Sequence, residues 1–165
     1  MKCLEIVGRS KVKEAIKSRQ PECIISIKDI AKEFEYNAWH FEGPKLLLEF
    51  EDWENEEPGS PTEEHVKKII DFATNMKDKT FTVNCEAGIS RSSATAIICQ
   101  HIGGKPIKSN FEELTEKFPN IFPNMKIIHL AGSILGDDSL AKEYKEWQQF
   151  WMNRFKKRFY TGYYP

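Results

Sequence analysis

Cys85, Gly88, Arg91 and Ser92 lie within "VNCEAGISRSSA", residues 83–94. A thiol directly after an apolar run, a glycine three positions on, a guanidinium six positions on and a helix opening behind them form a set with one chemical use. The backbone N–H groups of Glu86, Ala87, Gly88, Ile89, Ser90 and Arg91 can curl around a single anion. Gly88 allows a turn that a side chain would obstruct. The start of a helix adds unpaired N–H donors and the positive end of its dipole. Arg91 supplies a planar fork that fits two oxygens of one phosphate. A thiol placed at that point is expected to give up its proton readily and to act as a nucleophile. The segment reads as a phosphate cradle with its nucleophile at the base. The bland alternative is an inert packed cysteine, against which stands Arg91, a side chain hard to bury without a partner.

The elements around the loop fit that placement. Short β-like runs occur at Cys3–Val7, Cys23–Ile27, Lys45–Glu51 and Thr80–Asn84. Helical patterns alternate with them. One runs from Ser10 to Arg19. Another has Ser60 as N-cap, Pro61 at the first helical position and Glu63 as capping-box partner. It aligns Val66, Ile69, Ile70, Ala73 and Met76 on one face. A third runs from about Arg91 to Ile102 and stops at Gly103-Gly104. Further helices are expected over "FEELTEKF", behind Pro123 and from about Ser139, the last with Leu140, Tyr144, Trp147 and Trp151 as a packing stripe. This order predicts a single α/β domain over residues 1–165, with a mostly parallel sheet of four to five strands flanked by helices. Ligands of such sheets bind beyond the carboxyl ends of the strands, where Cys85 falls.

Composition sets outer limits. The 165 residues are 40% hydrophobic and 30% charged, with a net charge of −1. These values suit a globular domain with a sizeable core and give no sign of stable nucleic-acid binding. No apolar run is long enough to span a bilayer, and "MKCLEIVGRSKVKE" gains charge too early for a secretory signal. A cytoplasmic location is the expectation. The cysteines Cys3, Cys23, Cys85 and Cys99 show no C-x-x-C spacing, so no metal cluster and no cofactor is expected. Cys99, on the helix behind Cys85, reads as a small core residue, with a protective disulfide to Cys85 as the other possibility.

"CEAGISRS" resembles the signature loop of the cysteine-dependent tyrosine phosphatases, and most of all the dual-specificity branch, written His-Cys-x-x-Gly-x-x-Arg-Ser/Thr. The resemblance implies a fold of that type and a two-step reaction. Cys85 would attack phosphorus to form a cysteinyl-phosphate, with Arg91 and the loop amides holding the equatorial oxygens. Ser92 would help the thiolate leave. The usual His before the cysteine is Asn84 here. Asn can donate and accept in support of the loop, but it carries no charge, so Cys85 is expected to be activated less.

In that family an Asp on a loop after an earlier strand protonates the leaving group. "LEFEDWENEEPGS" occupies the place, which assigns Asp52 as general acid and then base, with Glu51, Glu54 and Glu56 as rivals. Eight acidic side chains from Glu49 to Glu64, with no Lys or Arg among them, are expected to favour the protonated form of Asp52 through like charge. Asn124 would brace the loop, as an Asn does in a similar late segment of the family; a plain helix N-cap explains it equally well.

The loop contains no lysine, which favours phosphorylated protein side chains, phosphotyrosine first, over inositol phospholipids. The aromatic residues Tyr36, Trp39 and His40 could wall a pocket or simply pack. The C-terminal "RFKKRFYTGYYP" could touch RNA or a membrane surface, or fold back as a solvated helix end. An RNA 5′-phosphatase, a phosphoinositide phosphatase, a rhodanese-like sulfurtransferase and a phosphate-binding pseudophosphatase remain open. The expected partner is a phosphorylated protein or peptide; the sequence does not give the oligomeric state.

Overall fold

The computed structural model describes residues 1–160, with side chains through residue 150. Trp151 and the "RFKKRFYTGYYP" side chains lie outside the described set. Four strands, β1 (Lys2–Gly8), β2 (Cys23–Lys28), β3 (Lys45–Glu49) and β4 (Thr80–Cys85), form one sheet in the order β1-β4-β2-β3. All three pairings are parallel. Seven α-helices connect or cover them: α1 (Val12–Arg19), α2 (Tyr36–Trp39), α3 (Glu63–Asn75), α4 (Arg91–Ile102), α5 (Ile107–Lys117), α6 (Met125–Leu135) and α7 (Asp138–Tyr160).

A strand buried on both faces reads as a continuous apolar run, and "CIISI" of β2 is buried from Cys23 to Ile27. Its alternate residues serve two cores. Ile25 and Ile27 join the main core with Phe81, Val83 and Cys85, under α3 to α7, while Ile24 packs with Val12 and Ala38 under α1 and α2. Helix α4 runs through the main core and is buried at every position from Arg91 to Gln100, which is why "SSATAIICQ" shows no amphipathic stripe. Phe111, Tyr144 and Trp147 stack to bring α5 against α7.

Several boundaries differ from the sequence expectation; α5 begins at Ile107, four residues before the Phe111 that opens "FEELTEKF". A 3-10 turn, Arg9–Lys11, precedes α1. Helix α3 begins later than expected, with Thr62 as N-cap and His65 closing the capping box. The Ser60 hydroxyl is used elsewhere: it donates to the Asn55 carbonyl at 2.7 Å and accepts from Glu57 N–H at 3.0 Å. A cap side chain can serve one turn, and Ser60 closes the acidic loop. β3 ends at Glu49. Phe50 N–H still donates to the Lys28 carbonyl, but Glu51 N–H turns to the Gly59 carbonyl at 2.8 Å.

Candidate active site

Gly8, Asp29, Asp52 and Cys85 all stand at or just past the carboxyl ends of β1 to β4. Parallel strands bring those four ends to one edge, so residues up to 77 positions apart in sequence, Gly8 and Cys85, meet around one loop.

The loop 86–90 folds over the Cys85 sulfur. Gly88 N–H points at Sγ from 3.3 Å, and Ser92 Oγ lies 3.2 Å from it. Gly88 has φ +75°, and a Cβ there would lie 2.3 Å from both Gly8 N and the Val7 carbonyl carbon. The loop therefore presses backbone to backbone against the end of β1, where Arg9 N–H donates to the Glu86 carbonyl at 3.0 Å. Gly8 is part of this contact, since a Cβ on it would meet the Ala87 carbonyl at 3.0 Å. The far side of the loop is tied to the segment before α6: Phe122 N–H donates to the Ile89 carbonyl and Asn124 N–H to the Ser90 carbonyl.

Arg91 opens α4 and is 3% exposed. Nη1 donates to the Phe50 carbonyl at 2.5 Å and Nη2 to Asp29 Oδ1 at 2.7 Å. Nε lies 3.9 Å from Asp52 Oδ2 and has no hydrogen-bond partner. The buried guanidinium thus has the counterion its burial requires. Burial pushes the Asp29 carboxyl up, but the hydrogen bonds and charges of Arg91 and Lys32 outweigh it and hold it below the ordinary value. Lys32 bridges Asp29 at 3.1 Å and Glu86 at 2.9 Å, and those bonds, Glu86 first, raise its own pKa.

Asp52 sits at the mouth. Its Oδ1 accepts from Ser90 Oγ at 2.7 Å and from Asn124 Nδ2 at 2.9 Å. Asn124 also caps α6, accepting from Ile127 N–H at 3.1 Å. The neighbouring acids each have a partner of their own. Glu51 accepts from Ile30 N–H, Glu54 from Met125 N–H at 2.7 Å, and Glu56 pairs with Lys126 at 2.9 Å. Lys126 also holds the Asn55 carbonyl at 3.0 Å.

Asn84 is buried, and among the described residues its side chain makes no hydrogen bond. By strand alternation it faces opposite to Cys85. Tyr36, Trp39 and His40 form a small aromatic group with Phe34. The Phe34 and Trp39 rings stack at 5.8 Å, those of Tyr36 and His40 lie 4.1 Å apart, and Tyr36 and Trp39 are exposed. Cys99 is fully buried, which pushes its thiol well up; its electrostatic neighbours are Cys3 and Cys23. Among the described residues no group of three His, Cys, Asp or Glu converges as a metal site, and no helix is long and apolar enough to cross a membrane.

Asp29, Gly8, Lys32 and Lys126 were not singled out from the sequence. Asp29 had a usable signal as the first acid past a strand buried from Cys23 to Ile27. The other three are ordinary residues until the chain folds.

No family model matches the chain, and no curated protein sequence does. Solved structures do. Human DUSP28 superposes with a TM-score of 0.55 at 14% identity, over 88% of this chain and 93% of that one. DUSP15 gives 0.56 at 18% identity over 86% and 90%. PTPMT1 in complex with PI(5)P gives 0.50 at 15% identity over 86% and 88%. The chain has the dual-specificity phosphatase fold.

Proposed function

We propose that this protein hydrolyses phosphate monoesters, phosphotyrosine in proteins first and phosphoserine or phosphothreonine after it, through a cysteinyl-phosphate on Cys85. The observation that carries the proposal is the seat of the Cys85 sulfur. It lies beneath an inward-facing amide, beside a hydroxyl, at the head of a helix whose first residue is a buried arginine.

In the first step the Cys85 thiolate forms a bond to phosphorus while the ester P–O bond breaks. The departing oxygen takes a proton from Asp52, which the Ser90 and Asn124 bonds hold at the loop's rim. The loop amides and Arg91 carry the charge that builds on the equatorial oxygens. In the second step water attacks phosphorus and gives its proton to Asp52. The P–S bond breaks, and Ser92 donates a hydrogen bond to the returning thiolate. Turnover with p-nitrophenyl phosphate tests this. Cys85→Ser and Arg91→Ala are each expected to lose nearly all activity, and Asp52→Asn about 100-fold or more. Full activity in Cys85→Ser would overturn the mechanism, while wild-type phosphate binding without turnover would make the protein a pseudophosphatase.

One observation favours a second substrate reading, an inositol phospholipid. The loop lacks lysine, but the fold brings Lys32 and Arg9 to its edge, both beside Glu86. The similar PTPMT1 structure holds PI(5)P. Comparing a phosphotyrosine peptide with a phosphoinositide in wild type and Lys32→Ala separates the two. A selective loss on the lipid would favour the second reading.

A further inference from the structure

The acidic loop after β3 meets the first turn of α6 residue against residue. Asn124 Nδ2 donates to Asp52 Oδ1 at 2.9 Å and to the Trp53 carbonyl at 3.4 Å. Met125 N–H donates to Glu54 Oε1 at 2.7 Å. Lys126 Nζ donates to the Asn55 carbonyl at 3.0 Å and pairs with Glu56 at 2.9 Å. Five consecutive loop residues are thus held, in order, by three consecutive residues about 71 positions later. The Asn55 carbonyl also accepts from Ser60 Oγ at 2.7 Å, so one oxygen joins the loop's own closure to its seat on α6.

Two of these attachments have an ordinary local use. Asn124 is the N-cap of α6, and the Met125 amide is one of the orphan donors that every helix start must satisfy. Lys126 has no capping task, and its position is costly twice over. Its side chain is only 8% exposed, and an ammonium withdrawn from water needs partners to offset the loss. It also stands in the first turn of a helix, where the dipole disfavours a cation. Its partners among the described residues, the Asn55 carbonyl and Glu56, both belong to the loop that carries Asp52. A residue that breaks a local rule in this way is expected to serve a site. We propose that Lys126 is a positioning residue for Asp52. It seats the acidic loop on α6, so that the Asp52 carboxyl stays at the rim of the phosphate loop, within reach of the departing oxygen. The inference rests on the reaction proposed for Cys85 and Asp52, and Lys126 acts in it through Asn55 and Glu56.

A proton from Asp52 matters more the more basic the departing oxygen is. Displacing Asp52 therefore penalises phenyl phosphate more than p-nitrophenyl phosphate, whose nitro group spreads the phenolate charge. A general loosening of the fold lowers both alike. The test is steady-state turnover of the two esters across pH by wild type and Lys126→Met, which keeps the apolar stem and removes the charge and the donor. Far-UV circular dichroism confirms the fold; if Lys126→Met does not fold, Lys126→Gln, neutral and shorter, takes its place with the same expectations. The variant is expected to lose at least ~10-fold in kcat on phenyl phosphate but only about 3-fold on p-nitrophenyl phosphate. KM should change little, and the falling limb of the phenyl phosphate profile at high pH, which reports loss of the acid's proton, should flatten. Wild-type turnover with an equal loss on both esters in the variant, or with no loss, overturns the role of Lys126 alone. A wild type that turns over neither ester overturns the reading of the reaction and this role with it.

Discussion

Asp29 and Arg91 meet at 2.7 Å across 62 positions of sequence, joining the end of β2 to the first turn of α4. The carboxylate takes one terminal nitrogen of the guanidinium and the Phe50 carbonyl takes the other. Arg91 is thereby held at both terminal nitrogens, and in the proposed reaction an orientation settled in advance would lower the barrier of phosphoryl transfer.

Asp29→Asn should therefore act on catalysis through Arg91. Removing the charge leaves a guanidinium that is 3% exposed without its nearer counterion, with Asp52 at 3.9 Å the remaining carboxylate, while Asp29 itself is 19% exposed. The expected cost is about 2 kcal/mol of stability, below that of a fully enclosed pair. Turnover of p-nitrophenyl phosphate is expected to fall about 10- to 100-fold, with KM rising. An unchanged KM and kcat would remove Asp29 from the positioning role.

Asn124 holds Asp52 and caps α6 with different atoms of one side chain, so two substitutions separate the tasks. Asn124→Ala loses both and is expected to cost about 1 kcal/mol and to lower kcat about 10-fold. Asn124→Asp keeps a good cap but offers Asp52 a repelling oxygen. Its melting temperature should stay nearer to wild type while its kcat falls at least as far. If kcat simply tracks stability across both variants, Asn124 is only a cap.

Gly88→Ala should fail for steric reasons. The added methyl meets the backbone of Val7 and Gly8 at 2.3 Å, and φ is +75°. Backbone cannot move aside as a flexible side chain can, so the loop must open. The expected result is more than ~2 kcal/mol of destabilisation and a loss of oxyanion binding, read by vanadate inhibition or phosphate titration. Wild-type vanadate affinity would show that the loop tolerates reshaping.

Glu22 ties the start of β4 to the turn before β2. It accepts from Thr80 N–H at 2.8 Å and Thr80 Oγ1 at 3.0 Å, and pairs with Lys79 at 2.9 Å. These contacts, the backbone amide first, lower its carboxyl from 4.5 to about 2. A carboxyl depressed in the folded state contributes stability that is complete above its unfolded value and disappears as pH falls from 4.5 toward 2. Glu22→Gln should lower the melting temperature at neutral pH, and the gap to wild type should close through that acid window. A gap that stays constant with pH would show that the charge contributes nothing.

Local reading reached the loop because its parts are contiguous. "NCEAGISRS" places thiol, glycine, arginine and hydroxyl within one turn and its helix, and backbone sterics leave few ways to arrange them. It reached the four strands and most helices because burial repeats with a period. It failed at the start of α3, where Ser60 and Thr62 are equally good caps by type and only the closure of the acidic loop gives Ser60 other work. It placed Asp52 by analogy with a family, but the partners of its acidic neighbours, Met125 N–H for Glu54 and Lys126 for Glu56, lie about 70 positions away and no local pattern names them.

What the amino-acid sequence determined by itself was the tight loop from Cys85 to Ser92 at the head of a helix and an α/β frame, both of which follow from short-range geometry and hydrophobic period. What the tertiary structure alone decided was the company these residues keep: Asp29 behind Arg91, Asn124 on Asp52, Gly8 under Gly88. Those pairs lie 62, 72 and 80 positions apart in the chain. No local pattern encodes them, because they arise only when parallel strands align their carboxyl ends and the buried guanidinium draws its counterion from whichever loop the sheet order sets beside it.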